Sequence, residues 1–560
     1  MKHFTTIVLL SFLFSFTTLL QAQTLKPNIL LIIVDDGRYA DYTPTGGPSW
    51  FQSPSINRIA DEGVNFKNTF VALSLCGPSR VSILTGLYPH HSGYVYNTQV
   101  YDTSILTIAR ILKDNGYYTG IVGKFINSFD EFPKNDFSYY FANDGNGNYN
   151  PKTFSLNGVD TLVNENPQKA INEFGIHFLE SAPVDSPFFL MFTARAPHVP
   201  YTAYPGYENA YHSDTVLFPN NFNGYEKNYP NYLYYDNLYL KDSIGCVGDI
   251  QTYYETLIGV EEGVDSIFSF LENKNVMDST LIIFMSDNGI FIGEHNLQKK
   301  RLAYEESIHI PLFIRYPKWF QPNTIVEDEF AMNIDIFPTL LEAAGITDTF
   351  NDDGISLHDL ALKNVERKEF MYEYFSDTLF PAVPDIRAVR TFNYKYIWSS
   401  CDQTTEEFYD LQNDIKEDSN LIFKIEYQTV IQTYRDKLDS LRTALGDDKS
   451  KDTVITCSLL NADTLYLNSF PIKENDPSFF ISPNPTQDFV TFHFSNSKIP
   501  FQTIVITDLA GRILLKQKIF LAGKEENSTA IININELPAG VYLVKAEEIN
   551  VQSIMLMIMH

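Results

Sequence analysis

Two places in the sequence set an acid beside a second oxygen donor directly after an apolar run. Asp35-Asp36 follows NILLIIV, and Asp287-Asn288 follows LIIFMS. Three carboxylates and an amide are hard donors, suited to Ca²⁺ or Mg²⁺ rather than to a metal that prefers thiolates. A third point of interest is Leu75-Cys76-Gly77-Pro78-Ser79-Arg80, which leads into Val81-Ser82-Ile83-Leu84-Thr85-Gly86. Pro78 fits the first turn of a helix and Gly86 its end. Cys76 then stands beside the exposed N–H groups at the positive end, with Arg80 about one turn along, an anion cradle holding a reactive group. Plainer readings stay open, since Asp is common in turns and a lone cysteine is often a small buried hydrophobe.

The elements that must hold these groups are legible as pattern. NILLIIV and STLIIFMS read as parallel strands buried on both faces, and their carboxyl ends are where such sheets gather ligands. SINRIADEGV and TIARILKDNGY read as amphipathic helices closed by glycine, and YYETLIGVEEGVDSIFSFLENKNV as a longer one. Alternation of runs and helices from Lys26 to about Gly446 predicts a layered α/β domain. Between Asn143 and Pro230 the composition turns to Asn, Tyr, Pro and Gly, predicting long loops. From about residue 366 to 446, FMYEYF, IRAVRTFNYKYIWSS and EEFYDLQND read as antiparallel strands beside a packing helix, a smaller α+β subdomain. Residues 447–477 read as a linker, and 478–560, with short alternating strands at roughly ten-residue spacing, as a β-sandwich.

The first 22 residues begin with Lys2, run apolar to Leu20 and reach Ala22, as a secretory signal does. No later stretch is long enough to span a bilayer, so no transmembrane segment is expected in the mature chain. The 560 residues carry 41 Lys and Arg against 69 acids, a net charge of −28. That balance argues against a nucleic-acid partner, and any anionic substrate must be drawn in by local cations. Four cysteines, Cys76, Cys246, Cys401 and Cys457, are too few for a disulfide framework.

Cys-Gly-Pro-Ser-Arg followed by Leu-Thr-Gly resembles the signature of the formylglycine-dependent sulfatases of the alkaline-phosphatase-like superfamily. Further pieces resemble the same family in order: KPNILLIIVDDG, PSINRIADEGVNF, GYYTGIVGK, APHVP, SDNG, GEHNL, KRLAYEESIHIPLFIRYP, NIDIFPTLLEAAGI, DGISL and EEFYDLQNDIKEDSNL. They cover roughly residues 26 to 425. The resemblance implies an α/β fold: an alkaline-phosphatase-like mixed sheet flanked by helices, with the smaller α+β subdomain after it. It implies that a maturation enzyme oxidises Cys76 to Cα-formylglycine, whose hydrate attacks sulfur and later expels sulfate. By the same resemblance Asp35, Asp36, Asp287 and Asn288 hold Ca²⁺, and Arg80 holds the hydrate. Lys124 and Lys300 neutralise the sulfate, and His198 protonates the leaving oxygen. His295 and Asn127 are expected at the substrate, and His90 and His91 in a mainly structural role.

One departure from the family is informative. Many sulfatases read Gly-Lys-Trp-His where this chain reads Gly123-Lys124-Phe125-Ile126-Asn127, which resembles glucosamine-6-sulfatases and related glycosaminoglycan sulfatases. The substrate expected is therefore a sulfated poly- or oligosaccharide. A phosphonate or phosphodiester hydrolase of the same superfamily and a non-catalytic binder of sulfated glycans are the alternatives. Ser482-Pro483-Asn484-Pro485, Asp508-Leu509-Ala510-Gly511-Arg512 and Leu537-Pro538-Ala539-Gly540-Val541-Tyr542 resemble the C-terminal sorting domain of type IX secretion. Export through the periplasm to the cell surface or medium is what that implies.

Overall fold

The computed structural model describes residues 26–126, 134–143, 152–214, 230–234, 243–377, 383–401 and 405–455, some single residues between these, and the strands between 478 and 558. The expected signal at 1–22 and Asn127 lie outside the described residues. The chain forms two compact units, residues 1–230 with 237–455, and 231–236 with 456–560.

In the first unit a large sheet uses β1 (Asn28–Val34), β2 (Val64–Phe66), β3 (Tyr118–Lys124), β4 (Tyr139–Asn143), β5 (Lys152–Leu156), β6 (Val159–Val163), β7 (Phe188–Thr193), β8 (Thr280–Ser286), β9 (Leu312–Arg315) and β10 (Thr324–Val326). Their spatial order is β10-β2-β9-β8-β1-β7-β3-β4-β5-β6. Strand β1 is central and runs parallel to both β7 and β8, β7 runs parallel to β3, and β9 runs antiparallel to β8. The sheet is therefore mixed, as the family resemblance implies. Leu30, Ile32 and Val34 face one side of β1, and Ile29, Leu31 and Ile33 the other, all fully buried. That is why the run reads as unbroken rather than alternating.

One face of the sheet is covered by helices α1 (Pro54–Asp61), α3 (Pro167–Ser181) and α4 (Ser243–Asn273), whose Ile56, Ile59, Ile171, Phe178, Leu257, Val264 and Ile267 share a core with Leu30, Ile32 and Phe284. Helix α2 (Cys76–Thr85) is closed by Gly86 in the left-handed conformation, φ +71°, as expected from the glycine. The smaller subdomain is an antiparallel sheet of β11 (Glu369–Tyr374), β12 (Ile386–Thr391), β13 (Tyr394–Ser399) and β14 (Thr405–Asp410). Met371, Val389, Tyr396 and Phe408 of that sheet pack on Ile431, Tyr434 and Leu438 of helix α5 (Gln428–Ala444).

Two expectations change. The stretch 143–230 is not simply loops, because α3 and strands β5 to β7 lie in it. The helix signal there is Ala170, Ile171, Phe174, Phe178 and Leu179, a 3.6-residue period diluted by Asn, Glu and His between them. The expected linker from 447 begins later: Asp447 is paired with Arg387 and Arg442, and the Ile455 N–H donates to Ser400 O at 3.0 Å. In the second unit, Ser478–Ser482, Phe489–Ser495 and Asn527–Asn533 form one antiparallel sheet. Phe501–Thr507, Ile513–Phe520, Gly540–Ala546 and Ile554–Ile558 form another. No helix among the described residues is long and apolar enough to cross a membrane.

Candidate active site

Parallel pairing of β1 and β8 puts Val34 opposite Ser286, so the residues that follow each strand meet at one sheet edge. The Asp287 N–H donates to Val34 O at 3.1 Å, and the Asp36 N–H donates to Asp287 Oδ1 at 3.1 Å. Asn288 Nδ2 donates to Asp36 Oδ1 at 2.7 Å. Asp36 turns the chain in a left-handed conformation, φ +67°. All four residues are buried. Oxygens of Asp35, Asp36 and Asp287 lie within 4.8 Å of one another.

The cations arrive from three other elements. Lys124 ends β3, after Gly123, whose φ of +116° and 1.8 Å approach of a built Cβ to Thr193 O exclude a side chain. Its Nζ donates to Asp35 Oδ2 at 2.6 Å. Arg80, on the first turns of α2, donates from Nε to Asp287 Oδ2 at 2.7 Å and from Nη1 to the Lys124 carbonyl at 2.8 Å. Lys300 Nζ hydrogen-bonds Asp36 Oδ1 and lies 2.8 Å from Cys76 Sγ. Cys76 itself is free, buried, and 3.9 Å from Asp36 Oδ1. Atoms of Asp35, Cys76 and His198 also lie within 4.8 Å of one another. The His198 Nε2 is 3.7 Å from Asp36 Oδ2, and its side chain is 23% exposed, so it lies between the buried groups and solvent.

The electrostatics follow from burial against charge. Burial raises the Asp35 carboxyl, but Lys124, His198, Arg80 and Lys300 outweigh it and hold it well below the usual range. Asp36 is likewise held low, burial being outweighed by Lys300 and His198. Asp287 goes the other way, pushed up to about 6 by burial and Asp35 despite Arg80. Burial and the neighbouring Asp35 push the Cys76 thiol up to about 12, so the encoded side chain is a poor nucleophile at neutral pH.

The donor set fits a hard divalent cation. Asp35 Oδ1 and Asn288 Oδ1 are buried oxygens with no hydrogen-bond partner among the described residues, and they belong to the residues that crowd Asp36 and Asp287. Buried oxygens are seldom left so unless something else satisfies them.

Nine of the expected site residues, Asp35, Asp36, Cys76, Arg80, Lys124, His198, Asp287, Asn288 and Lys300, fall into this one cluster or beside it. His295 is described elsewhere: its ring stacks on Tyr304 at 4.8 Å, its Nε2 is 3.4 Å from Glu306, and its side chain is 1% exposed. His90 and His91 pair with Glu373 and Asp353, both at 2.7 Å, in keeping with a structural role. Sequence reading missed Asn97, whose Oδ1 accepts from the Gly77 N–H at 2.9 Å, and Tyr253, whose hydroxyl donates to the Asp36 carbonyl at 3.2 Å. Asn97 carries no signal in sequence, and Tyr253 sits within the apolar face of α4.

Comparison with known proteins identifies the family and the fold. Residues 27–346 match the family model Sulfatase, 293–444 match N-sulphoglucosamine sulphohydrolase, C-terminal, and 481–559 match the Secretion system C-terminal sorting domain. The chain is 26% identical over 506 residues to an N-acetylglucosamine-6-O-sulfatase of Bacteroides thetaiotaomicron, covering 77% of this chain and 89% of that one. It is 30% identical over 373 residues to the N-acetylglucosamine-6-sulfatase of Homo sapiens, covering 60% of this chain and 64% of that one. A solved structure in complex with its substrate D-glucosamine-2-N,6-O-disulfate shares the fold, with a TM-score of 0.67 at 24% identity over 76% of this chain and 99% of that one. With the first of these matches spanning more than half of its length, the chain belongs to the sulfatase family and is a sulfuric ester hydrolase of alkaline-phosphatase-like fold.

Proposed function

We propose that this sulfatase is exported and hydrolyses sulfate monoesters of a sulfated poly- or oligosaccharide, with a 6-sulfated glucosamine unit as the first substrate to try. The observation that carries the reading is the placement of Cys76 against Lys300, 2.8 Å away, at the edge of the three-carboxylate cluster. Two relatives that act on N-acetylglucosamine 6-sulfate by name, and the family-like Gly123-Lys124-Phe125-Ile126-Asn127, support the sugar.

Asp35, Asp36, Asp287 and Asn288 would hold Ca²⁺, a Lewis acid for a sulfate oxygen. Formylglycine at position 76, made by a maturation enzyme, would supply as its hydrate the nucleophilic oxygen that the protonated thiol lacks. The remaining work falls to encoded side chains. Lys124 and Lys300 bind the other sulfate oxygens and offset the charge that develops on them. Arg80 is tied by Nε and Nη1, and its buried Nη2 has no hydrogen-bond partner among the described residues, leaving it for the group at position 76. His198, the partly exposed member, gives a proton to the departing sugar oxygen. Asn127 and His295 are substrate-side residues in the same reading.

We assign residues 1–22 to a signal peptide, 23–455 to the catalytic domain with its subdomain from about 366, 456–477 to a linker, and 478–560 to a type IX sorting domain. The match of 481–559 to a sorting domain supports export by that route. The test is turnover of glucosamine 6-sulfate and an aryl sulfate beside an aryl phosphonate monoester. Faster turnover of the sulfates is expected. A preference for the phosphonate would overturn the reading in favour of a phosphonate hydrolase.

A further inference from the structure

Lys300 is flanked by two non-glycine residues in left-handed backbone, Lys299 at φ +72° and Arg301 at φ +95°. Side chains with a Cβ adopt such angles only where their surroundings over-determine them, and such residues cluster at functional sites. The surroundings here come from the smaller subdomain. Lys299 Nζ lies 4.7 Å and Arg301 Cζ 3.5 Å from the centre of one ring, Phe380. Cations over an aromatic face are attracted by its quadrupole, more so where water is partly excluded. Arg301 Nε is 3.4 Å from Asp377 Oδ2, to which the Tyr374 hydroxyl donates at 3.0 Å. The Tyr372 hydroxyl donates to the Arg301 carbonyl at 2.6 Å, and Asp377 Oδ1 accepts the Phe380 N–H at 2.8 Å. On its other side Lys299 pairs with Phe291 in a short antiparallel ribbon.

The neighbours of Lys300 are thus held on one ring while Lys300 itself reaches Cys76 and Asp36. We infer that Phe380 and Asp377 are positioning residues for the reaction: by gripping Lys299 and Arg301 they keep the backbone of 299–301 in its strained form and so keep the Lys300 ammonium in the site. This rests on the assignment of Lys300 to sulfate binding above. Released from the ring, residues 299 and 301 relax toward negative φ and the ammonium withdraws.

The test is a pair of variants in the full-length enzyme. Phe380→Leu retains apolar bulk and removes the ring face, while Phe380→Tyr keeps the face. Expected for Phe380→Leu is a kcat at least tenfold lower on the best sulfated sugar, with KM changed less than threefold. Phe380→Tyr should restore kcat to within threefold of the parent. A crystal structure of Phe380→Leu should show Lys300 Nζ moved away from Cys76 and Asp36. A kcat within twofold of the parent, failure of Phe380→Tyr to restore it, or an unmoved Lys300 would overturn the inference. A parent that turns over no sulfated sugar instead defeats the sulfatase substrate reading, and the crystal structure of the variant still decides whether the ring holds Lys300.

Discussion

The ammonium of Lys300 lies 2.8 Å from the sulfur of Cys76 and hydrogen-bonds the Asp36 carboxylate. One side chain therefore touches both the residue that would carry the nucleophile and the cluster that would carry the cation. Because all three groups are buried, their interactions are little weakened by solvent or salt. The formal charge of −28 over the whole chain thus coexists with three buried cations, Arg80, Lys124 and Lys300, gathered at one edge of the sheet.

Loss of that contact should be felt in the transition state. Lys300→Ala is expected to lower kcat/KM on a sulfated sugar a hundredfold or more, about 3 kcal/mol of transition-state stabilisation. Steady-state kinetics at saturating Ca²⁺ measure it. A loss below threefold would reject the role given to Lys300.

Metal dependence has a readout apart from turnover. Protein stripped with a chelator should gain stability when Ca²⁺ is returned, about 2.7 kcal/mol at a free concentration a hundredfold above Kd. Asn288→Ala, which removes a buried oxygen with no hydrogen-bond partner among the described residues, should weaken that gain markedly. Calorimetric melting with and without Ca²⁺ makes the comparison. An equal gain in parent and variant would remove Asn288 from the ligand set.

His90 gives stability a pH dependence of definite sign. Its Nδ1 is 2.7 Å from Glu373 Oε2 and its Nε2 is 2.9 Å from Leu445 O, so both nitrogens face acceptors and the doubly protonated ring suits them. Burial lowers its pKa, but the hydrogen bond and charge of Glu373 outweigh this and raise it above the ordinary 6.5. A raised histidine contributes stability fully below the unfolded value and loses it as pH climbs through the folded one. His90→Asn should accordingly cost more at pH 6 than at pH 9, about 1–3 kcal/mol at the lower pH. Urea melts at the two pH values test this, and a penalty that grows with pH would contradict it.

Export is separable from catalysis. Removing residues 478–560 should leave activity in the cell but shift it from the surface or medium to the periplasm. Assaying fractions of the native host measures this. Unchanged delivery of the truncated chain would reject the sorting role.

What the sequence reveals of this molecule divides by range. Strands β1 and β8 and the acids behind them are legible because burial on both faces removes polar residues from the run, and the change from Val34 to Asp35 or Ser286 to Asp287 then stands out. Helix α2 is legible through Pro78 and Gly86, local signals at its two ends. The grip of Phe380 on Arg301 and the Tyr253 hydroxyl on Asp36 join residues far apart in the chain, and no periodicity encodes which aromatic meets which partner. Helix α3 escapes notice because its polar residues outnumber its apolar stripe, so only the spacing of Ile171, Phe178 and Leu179 betrays it. The left-handed angles around Lys300 are equally silent in sequence, since Lys and Arg carry none of the glycine signal that marks such a turn at Gly86.

The most direct test is the mass of the peptide spanning Cys76 from active protein made in a host that has the maturation enzyme. Formylglycine requires that sulfur and two hydrogens of the encoded side chain be replaced by one oxygen, with activity rising in proportion to the converted fraction. An unaltered thiol in protein that still desulfates sugars at full rate would contradict the mechanism, and an unaltered thiol in protein that only binds them would make this chain a sulfated-glycan receptor.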